Sequence, residues 1–209
     1  CCFTGHRPEK LLRSTKVIRT DLEREIHKAI SDGFTVFITG MARGVDLEAG
    51  EIVLRLRSEG FPIRLICACP YQGFERSWSV EWQRRYNHVL AEADLIRYIC
   101  SEYSRGCFQK RNEWMVNHSS RVIAVFNGQP SGTKNTIDYA HRVCVPVVQI
   151  AYNSMTSDNT ASVENAELIL NGNTTAKEAL SVKADNEEEI VNVALSGGVA
   201  TKGNAWTGQ

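Results

Sequence analysis

The sequence predicts an α/β protein built on a doubly wound, mostly parallel sheet of the Rossmann-like type. Strand-like apolar runs alternate with amphipathic helical stretches through the first 150 residues. The runs at 35–39 and 121–126 are β-branched or aromatic and almost wholly apolar, which is typical of central parallel strands covered on both faces. Glycines stand at several of the turns that lead from a strand into a helix.

Six strands and five helices follow from this alternation. The strands are expected near residues 1–4, 35–39, 63–69, 94–99, 121–126 and 145–150. The helices are expected near residues 15–32, 46–59, 76–92, 109–118 and 134–143. An apolar stripe at helical spacing supports the first helix, and Gly33 and Gly60 stand where helix C-caps belong. Such βαβ units form right-handed crossovers, and their ligands bind beyond the carboxyl ends of the strands.

The composition changes after Ile150 and divides the chain into an α/β domain, residues 1–150, and a polar tail, residues 151–209. The tail holds eight acidic groups and three lysines, a net charge of −5. Because the whole chain is neutral, residues 1–150 carry +5, which suits an anionic small molecule better than a nucleic acid. The apolar patches of the tail are too few for a separate core, so we expect a flexible or weakly docked segment, or else a small accessory element.

The hydropathy and the cysteine content of the chain limit the classes of function that it can have. No apolar run is long enough to span a bilayer and no signal peptide is recognisable, so we expect a cytoplasmic protein that does not associate with membranes. The seven cysteines are odd in number and lie mostly in or beside predicted strands, which indicates buried, reduced thiols. No pair has the CxxC spacing, so we expect neither a metal site nor a cofactor.

Three strand-to-helix turns carry residues suited to holding phosphate. Glycine lets a backbone approach a ligand, and a helix N-terminus offers free N–H groups and the positive end of the helix dipole. The first turn contains Gly5, His6 and Arg7. Arg7 has the planar fork that binds phosphate, and His6 is a candidate for a ribose hydrogen bond or for proton transfer. The alternative is a plain turn with a solvated Arg7.

The second turn runs from Gly40 to Asp46 and includes Arg43 and Gly44. It is neither a dinucleotide GxGxxG motif nor a Walker A loop. A plain connection needs only one glycine, so the second glycine favours a ligand. Asp46 can cap the following helix or accept a hydrogen bond from a ribose hydroxyl, and it is a candidate catalytic acid. Arg43 is expected to point either into the ligand space or into solvent.

The third region combines the start of a helix at Arg111 and Asn112 with a later turn. That turn consists of Ser131, Gly132 and Thr133. Its N–H groups and hydroxyls are suited to cradling a phosphate. A cation at a helix start is unfavourable for the helix dipole, so Arg111 there indicates a ligand. The alternative is a surface ion pair of Arg111 with Glu113 or Glu75.

Aromatic residues follow the third predicted strand, at Tyr71, Phe74, Trp78 and Trp82. An aromatic ring at the carboxyl edge of the sheet can stack on a base, but such rings more often only cover the edge of the sheet. The sequence leaves both interpretations open and favours the second.

Taken together, these residues resemble the SLOG superfamily, which includes the DprA proteins and the LOG phosphoribohydrolases, and within it the YpsA-like proteins of bacteria and their mobile elements. Residues 3–8, FTGHRP, resemble the YpsA opening, and residues 39–46, TGMARGVD, are similar to the SGxARGxD turn of DprA. Residues 111–115, RNEWM, resemble the YpsA RNxxMV helix, and residues 131–133, SGT, take the place of the family's GGT. The likeness covers residues 1–150 and implies a SLOG-type fold with a nucleotide-type pocket.

The chain also departs from the LOG pattern. LOG enzymes carry PGGxGTxxE, whose glutamate assists cleavage of an N-glycosidic bond, and the matching position here is Thr136. A hydroxyl can neither stabilise oxocarbenium charge nor serve as a carboxylate base. Ser131 also replaces the first glycine of GGT. The LOG hydrolytic apparatus is therefore expected to be incomplete, and phosphoribohydrolase activity is doubtful.

The resemblance implies a sensor domain that binds a nucleotide, or a nucleotide-derived phosphate, at the carboxyl edge of the sheet. An alternative is an N-glycosidase acting on nucleoside phosphates or NAD, with Asp46 or His6 as the acid. Binding of single-stranded DNA, as in DprA, is disfavoured by the modest charge of residues 1–150 and by the acidic tail. An isologous homodimer is expected because SLOG relatives commonly pair.

Overall fold

The structure is a computed structural model that describes residues 1–11, 14–151, 181–186 and 189–194. The chain divides into two compact units, Cys1–Ser154 and Met155–Gln209. The strands of the first unit are β1 (Cys2–Gly5), β2 (Val36–Thr39), β3 (Arg64–Cys69), β4 (Leu95–Tyr98), β5 (Val122–Phe126) and β6 (Val147–Ala151). Its helices are α1 (Thr15–Ser31), α2 (Val45–Ser58), α3 (Val80–Glu92), α4 (Cys107–Asn117) and α5 (Gly132–Arg142). None of the described helices is long and apolar enough to cross a membrane.

The six strands form one sheet in the order β4-β3-β2-β1-β5-β6, and every pair is parallel. This confirms the predicted doubly wound α/β fold. The chain runs outward from β1 to β4 and then crosses back to place β5 on the other side of β1. The strand order therefore reverses between β1 and β5. In sheets of this type, the carboxyl end of the sheet beside such a reversal is where ligands bind.

Side chains from alternate positions of the strands build a separate core on each face of the sheet. On one face Phe3 and Phe37 stack with ring centroids 5.9 Å apart and pack with buried residues of α1, α2 and α3. On the other face Cys2 and Ile38 pack with buried residues of α4 and α5. The period of two along a strand sends neighbours such as Cys2 and Phe3 to opposite faces. Central strands must therefore be apolar on both sides, and all five residues of β5 are buried.

Two predicted helix starts need correction here, and α5 likewise begins at Gly132 rather than near residue 134. The third helix begins at Val80 rather than near residue 76, because residues 71–77 form turns that bring Phe74 into the core. The fourth helix begins at Cys107 rather than near residue 109, because the Cys107 side chain is buried and continues the apolar face of the helix. Both differences place additional side chains at the carboxyl edge of the sheet.

The described residues of the second unit form a two-stranded antiparallel sheet. Strands β7 (Ser181–Asn186) and β8 (Glu189–Ala194) pair from Ser181 with Ala194 to Asn186 with Glu189. The rest of the predicted tail lies outside the described residues.

Five of the seven cysteines are buried, which confirms the prediction for them. They are Cys1, Cys2, Cys67, Cys69 and Cys107. The prediction is wrong for Cys144, which is exposed just after α5, and Cys100 is half-buried. Burial raises the pKa of the Cys2 thiol to about 11, and it raises the pKa of the Cys69 thiol to about 11 as well.

Alkylation of the native full chain with iodoacetamide should therefore distinguish two classes of thiol. At pH 8 a thiol with a pKa of about 11 is ionised in about one molecule in a thousand, and burial also blocks the reagent. We expect rapid labelling of Cys144 and very slow labelling of Cys2 and Cys69, measured by mass spectrometry of the peptides. Unfolding in urea should equalise the rates. Labelling of Cys69 as fast as that of Cys144 in the native protein would contradict the described core.

Candidate functional site

A cavity of about 560 Å³ opens at the carboxyl ends of the central strands. It is lined by the end of β1 and the residues after it, the β2–α2 turn and the start of α2, the segment after β3, the first two turns of α4, and the N-terminus of α5. Ten of the twelve predicted ligand-binding residues line it. These ten are Gly5, His6, Arg7, Arg43, Asp46, Arg111, Asn112, Ser131, Gly132 and Thr133. The structure brings all three predicted turns to one site, and their contact with a ligand stays a prediction.

The first turn contributes a buried imidazole and an exposed cation. His6 lies directly after β1, and its ring stacks on Phe126 at a centroid distance of 5.6 Å. Burial lowers the pKa of His6, and a hydrogen bond with Asn127 only partly opposes this effect. This lowering favours the neutral ring, and its Nε2 atom has no hydrogen-bond partner among the described residues. Arg7 is exposed and lines the cavity, and its side chain makes no hydrogen bond or ion pair within the described part of the chain.

The glycines of the first two turns serve close packing between parts of the protein. A Cβ atom on Gly5 would lie 2.5 Å from the Cβ atom of Val45, so glycine lets α2 pack directly on β1. A Cβ atom on Gly40 would overlap the guanidinium of Arg111 and lie 2.6 Å from Asp46 Oδ2. Gly44 has φ of +90° and would place a Cβ atom 2.8 Å from the His6 carbonyl oxygen. Gly40 and Gly44 do not line the cavity, and close packing accounts for a glycine at both positions.

A buried ion pair forms the base of the cavity. Arg111 Nη1 donates to the Gly40 carbonyl oxygen and lies 3.4 Å from Asp46 Oδ2, and each of the two side chains is 7% exposed. Asp46 also accepts a hydrogen bond of 3.3 Å from the Ala42 N–H. Burial raises the pKa of Asp46, and the nearby Arg111 charge opposes that rise. Burial likewise lowers the pKa of Arg111. Asp46 is not the helix cap that the sequence allowed, because Gly44 occupies the N-cap position of α2.

Arg111 lies neither at a helix start nor in a surface ion pair, and its contact with a ligand stays a prediction. Helix α4 begins at Cys107, so Arg111 lies in its second turn and not at its start. Neither of the predicted surface partners, Glu113 and Glu75, pairs with Arg111. Arg111 is instead buried against Asp46. Glu113 accepts a hydrogen bond from Gln109. The Nε atom of Arg111 has no hydrogen-bond partner among the described residues.

The N-terminus of α5 forms another part of the cavity wall. Ser131 is the N-cap, and its hydroxyl accepts a hydrogen bond of 3.3 Å from the Lys134 N–H. The first N–H groups of a helix have no acceptor within the helix. Those of Gly132 and Thr133 have none among the described residues either. A Cβ atom on Gly132 would meet nothing within 4 Å, so this glycine faces open space.

Several lining residues were not predicted as part of the site. They are Phe3, Thr4, Lys10, Ala42, Ser77, Ser79 and Phe108. Lys10 comes within reach because a short 3₁₀ helix, Pro8–Lys10, follows the first turn. Pro8, three residues after the end of β1, was the feature of the sequence that could have predicted this 3₁₀ helix. Tyr71, Phe74 and Trp78 also line the cavity, whereas Trp82 does not. Within the described residues no group of three His, Cys, Asp or Glu side chains is arranged to hold a metal ion.

Comparison with known proteins agrees with this geometry. The YpsA family model, described as the YspA SLOG family, matches residues 1–145. The chain belongs to this family. Among curated relatives, the SPbeta prophage-derived protein YoqJ of Bacillus subtilis is 36% identical over 118 residues, covering 51% of this chain and 69% of YoqJ. A UPF0398 protein of Macrococcus caseolyticus is 28% identical over 151 residues, covering 66% of this chain and 82% of the relative.

Two solved DprA structures share the fold of this SLOG domain. One is DNA processing protein A from Helicobacter pylori, described for its single-stranded DNA binding mode, with a TM-score of 0.51. The other is DprA from Streptococcus pneumoniae, with a TM-score of 0.52. Each is 18% identical and the match covers 71% of this chain, but it spans only 63% and 48% of the two DprA chains. This likeness concerns the fold alone.

Replacing Arg111 with methionine should destabilise the protein strongly. The substitution leaves the Asp46 carboxylate buried without its counter-charge, which typically costs about 3–5 kcal/mol in the free energy of unfolding. The double variant Arg111→Met with Asp46→Asn should recover part of that loss, because the two side chains act as a pair. Urea unfolding of the full chain measures both effects.

The matched control for this experiment is Arg43→Met. Arg43 pairs with Glu9 at 2.9 Å, and its side chain is 25% exposed while that of Glu9 is 57% exposed. Such exposed pairs contribute about 0–1 kcal/mol. A loss for Arg111→Met as small as that of the control would contradict a structural role for the buried pair.

Proposed function

We propose that this SLOG domain is a sensor that binds a nucleotide or a nucleotide-derived phosphate in the cavity at the carboxyl edge of its sheet. The observation that carries this proposal is the charge of the cavity wall. Among the described lining residues there are four cationic side chains and one carboxylate. The cations are Arg7, Lys10, Arg43 and Arg111, and the carboxylate is Asp46. Asp46 is paired with Arg111 and Arg43 is paired with Glu9, so Arg7 and Lys10 are the lining cations without a carboxylate partner among the described residues, and their field favours an anion.

The phosphate is proposed to bind at the N-terminus of α5. The free N–H groups of Gly132 and Thr133 and the positive end of the helix dipole meet there. Arg7 follows β1, the strand that neighbours β5, and supplies a planar donor fork to the cavity. Asp46 retains lone pairs that can accept a hydrogen bond from a ribose hydroxyl, and His6 lines the same cavity.

The surroundings of Thr136 favour binding over LOG-type hydrolysis. Its side chain is buried, and its hydroxyl donates a hydrogen bond of 2.8 Å to the Gly132 carbonyl oxygen within α5. The position that carries a glutamate in LOG enzymes therefore presents no ionisable group here. It contributes instead to the helix whose N-terminus is proposed to hold the phosphate.

The variant Gly132→Ala tests the phosphate site without disturbing the fold. Its new methyl group meets nothing in the protein within 4 Å but would crowd a phosphate that approaches the helix N-terminus. Loss of one charged hydrogen bond costs about 1.5–3 kcal/mol, so we expect affinity to fall by that amount. Isothermal titration calorimetry with AMP, GMP, CMP and UMP measures it, and Arg7→Ala should show a loss of similar size.

Gly106→Ala is the matched control for Gly132→Ala. Gly106 precedes α4 and also has open space around its Cβ position, but it does not line the cavity. It should bind like the parent chain. Equal affinity of all three variants and the parent would refute the proposed phosphate site. Binding of a single-stranded oligonucleotide that weakens steeply with salt would instead indicate a DNA-binding role.

A second candidate function is N-glycosidic bond cleavage. Asp46 and His6 both line the cavity, and burial raises the pKa of the first and lowers the pKa of the second. Acid–base catalysis uses groups whose pKa values lie near the working pH. Incubation with AMP or NAD, followed by chromatography, should reveal free base if this function is present. Release should then be lost in Asp46→Asn, and no release with excess protein would exclude cleavage of these two substrates.

A further inference from the structure

An aromatic wall closes the side of the cavity that lies toward β3. We use this name for Tyr71, Phe74, Trp78 and Phe108. Phe74 contacts the other three rings edge to face, with interplanar angles of 66° to Tyr71, 87° to Trp78 and 73° to Phe108. Tyr71 also contacts Phe108 edge to face, at 77°. These contacts hold the rings in a fixed arrangement before any ligand binds.

Burial separates two roles among these aromatic side chains. Phe74 and Tyr86 are buried and contact each other, so they cover the sheet as ordinary core residues do. Tyr71, Trp78 and Phe108 are only half-buried, and all three line the cavity. A role limited to covering the edge of the sheet does not explain why three apolar rings remain open to a cavity with four cationic side chains.

The aromatic wall and the proposed phosphate site lie at opposite sides of the cavity. Tyr71 follows β3, and the N-terminus of α5 follows β5, and these strands are three positions apart in the sheet. At the usual spacing of about 4.8 Å between neighbouring strands, that separation is about 14 Å. Arg43 follows β2, which lies between β3 and β5 in the strand order, and its guanidinium carbon is 6.0 Å from the centroid of the Trp78 ring. A ligand that fits must be anionic at one end and flat and apolar at the other.

We propose that the aromatic wall is the base-binding part of the site, where a nucleobase stacks on Trp78 or Tyr71 while its phosphate lies at the N-terminus of α5. This inference rests on the proposed nucleotide-binding function and specifies how the ligand is oriented. Ser77 and Ser79 also line the cavity beside Trp78, and the Ser79 hydroxyl makes no capping hydrogen bond to α3. Hydroxyls both donate and accept, and aromatic faces stack on any base. The aromatic wall therefore favours ligands that carry a base over ligands that carry none.

The test compares ligands with and without a base on the full chain. Calorimetric affinities are measured for AMP, GMP, CMP and UMP and for ribose 5-phosphate, which has the sugar and phosphate but no base. We expect at least one nucleotide to bind tenfold or more tightly than ribose 5-phosphate. In Trp78→Leu that nucleotide should lose roughly 5- to 150-fold in affinity, the usual effect of removing one stacking partner. The affinity for ribose 5-phosphate should not change, which also shows that the variant is folded.

Trp82→Leu is the matched control, because Trp82 is a half-buried tryptophan of α3 that contacts Arg85 and does not line the cavity. It should bind nucleotides like the parent chain. If Trp78→Leu does not fold, Tyr71→Leu replaces it, with the same expectations.

Three results would count against these proposals, and each of them overturns a different part. Equal affinities for ribose 5-phosphate and all four nucleotides would overturn the base-binding role and leave the phosphate site standing. Unchanged nucleotide affinity in both Trp78→Leu and Tyr71→Leu would overturn the assignment of stacking to this wall. Absence of binding by all five compounds would overturn the proposed function for nucleoside monophosphates, and the base-binding role with it.

Discussion

The buried pair between Asp46 and Arg111 is the interaction on which the site depends. It joins the start of α2 to the second turn of α4, and through the Gly40 carbonyl oxygen it also fixes the end of β2. Desolvating two charges is costly, and a buried pair is weak evidence for stability as such. Here the pair fixes the positions of α2 and α4. These helices pack on opposite faces of the sheet, and the Asp46–Arg111 contact joins them at its carboxyl edge. The absence of a side chain at residue 40 follows from this contact, since any Cβ atom there would overlap the guanidinium.

The fold could be predicted from the sequence because its central strands are apolar on both faces, as in residues 121–126, and its helices carry clear periodicity. What approaches the backbone at each glycine could not be predicted from the sequence. A strand-to-helix turn rich in glycine indicates that something approaches the backbone closely, but the pattern does not distinguish a ligand from another part of the protein. At Gly5 it is Val45 and at Gly40 it is Arg111, whereas Gly132 alone of these three faces open space. Similarly, the sequence placed an arginine near a helix start but could not show that it is buried against an aspartate 65 positions earlier.

The cavity combines chemical features that the family assignment does not determine. The YpsA SLOG family model matches residues 1–145, which hold the three turns that meet at one edge. The aromatic wall comes from the segment after β3 and from the first turn of α4, neither of which carries one of the glycine motifs. Fold and motif therefore explain where the cavity lies, while the residues around it decide its chemistry. Ser131 and Thr136 illustrate this, because both contribute to α5 through ordinary helix hydrogen bonds at positions where a hydrolase of the superfamily carries other residues.

The position of β1 has a consequence for how the protein is made. This strand precedes the other five in the chain but lies in the interior of the sheet, where Cys2 pairs with Val122, 120 positions later. A nascent chain leaving the ribosome thus carries β1 with one edge unsatisfied until β5 has been synthesised. Contacts between segments so distant in sequence form slowly. The helix that opens at Gly132 follows later still, so the site is completed only after most of the domain has emerged, and shorter translation products contain the glycine motifs without a binding site.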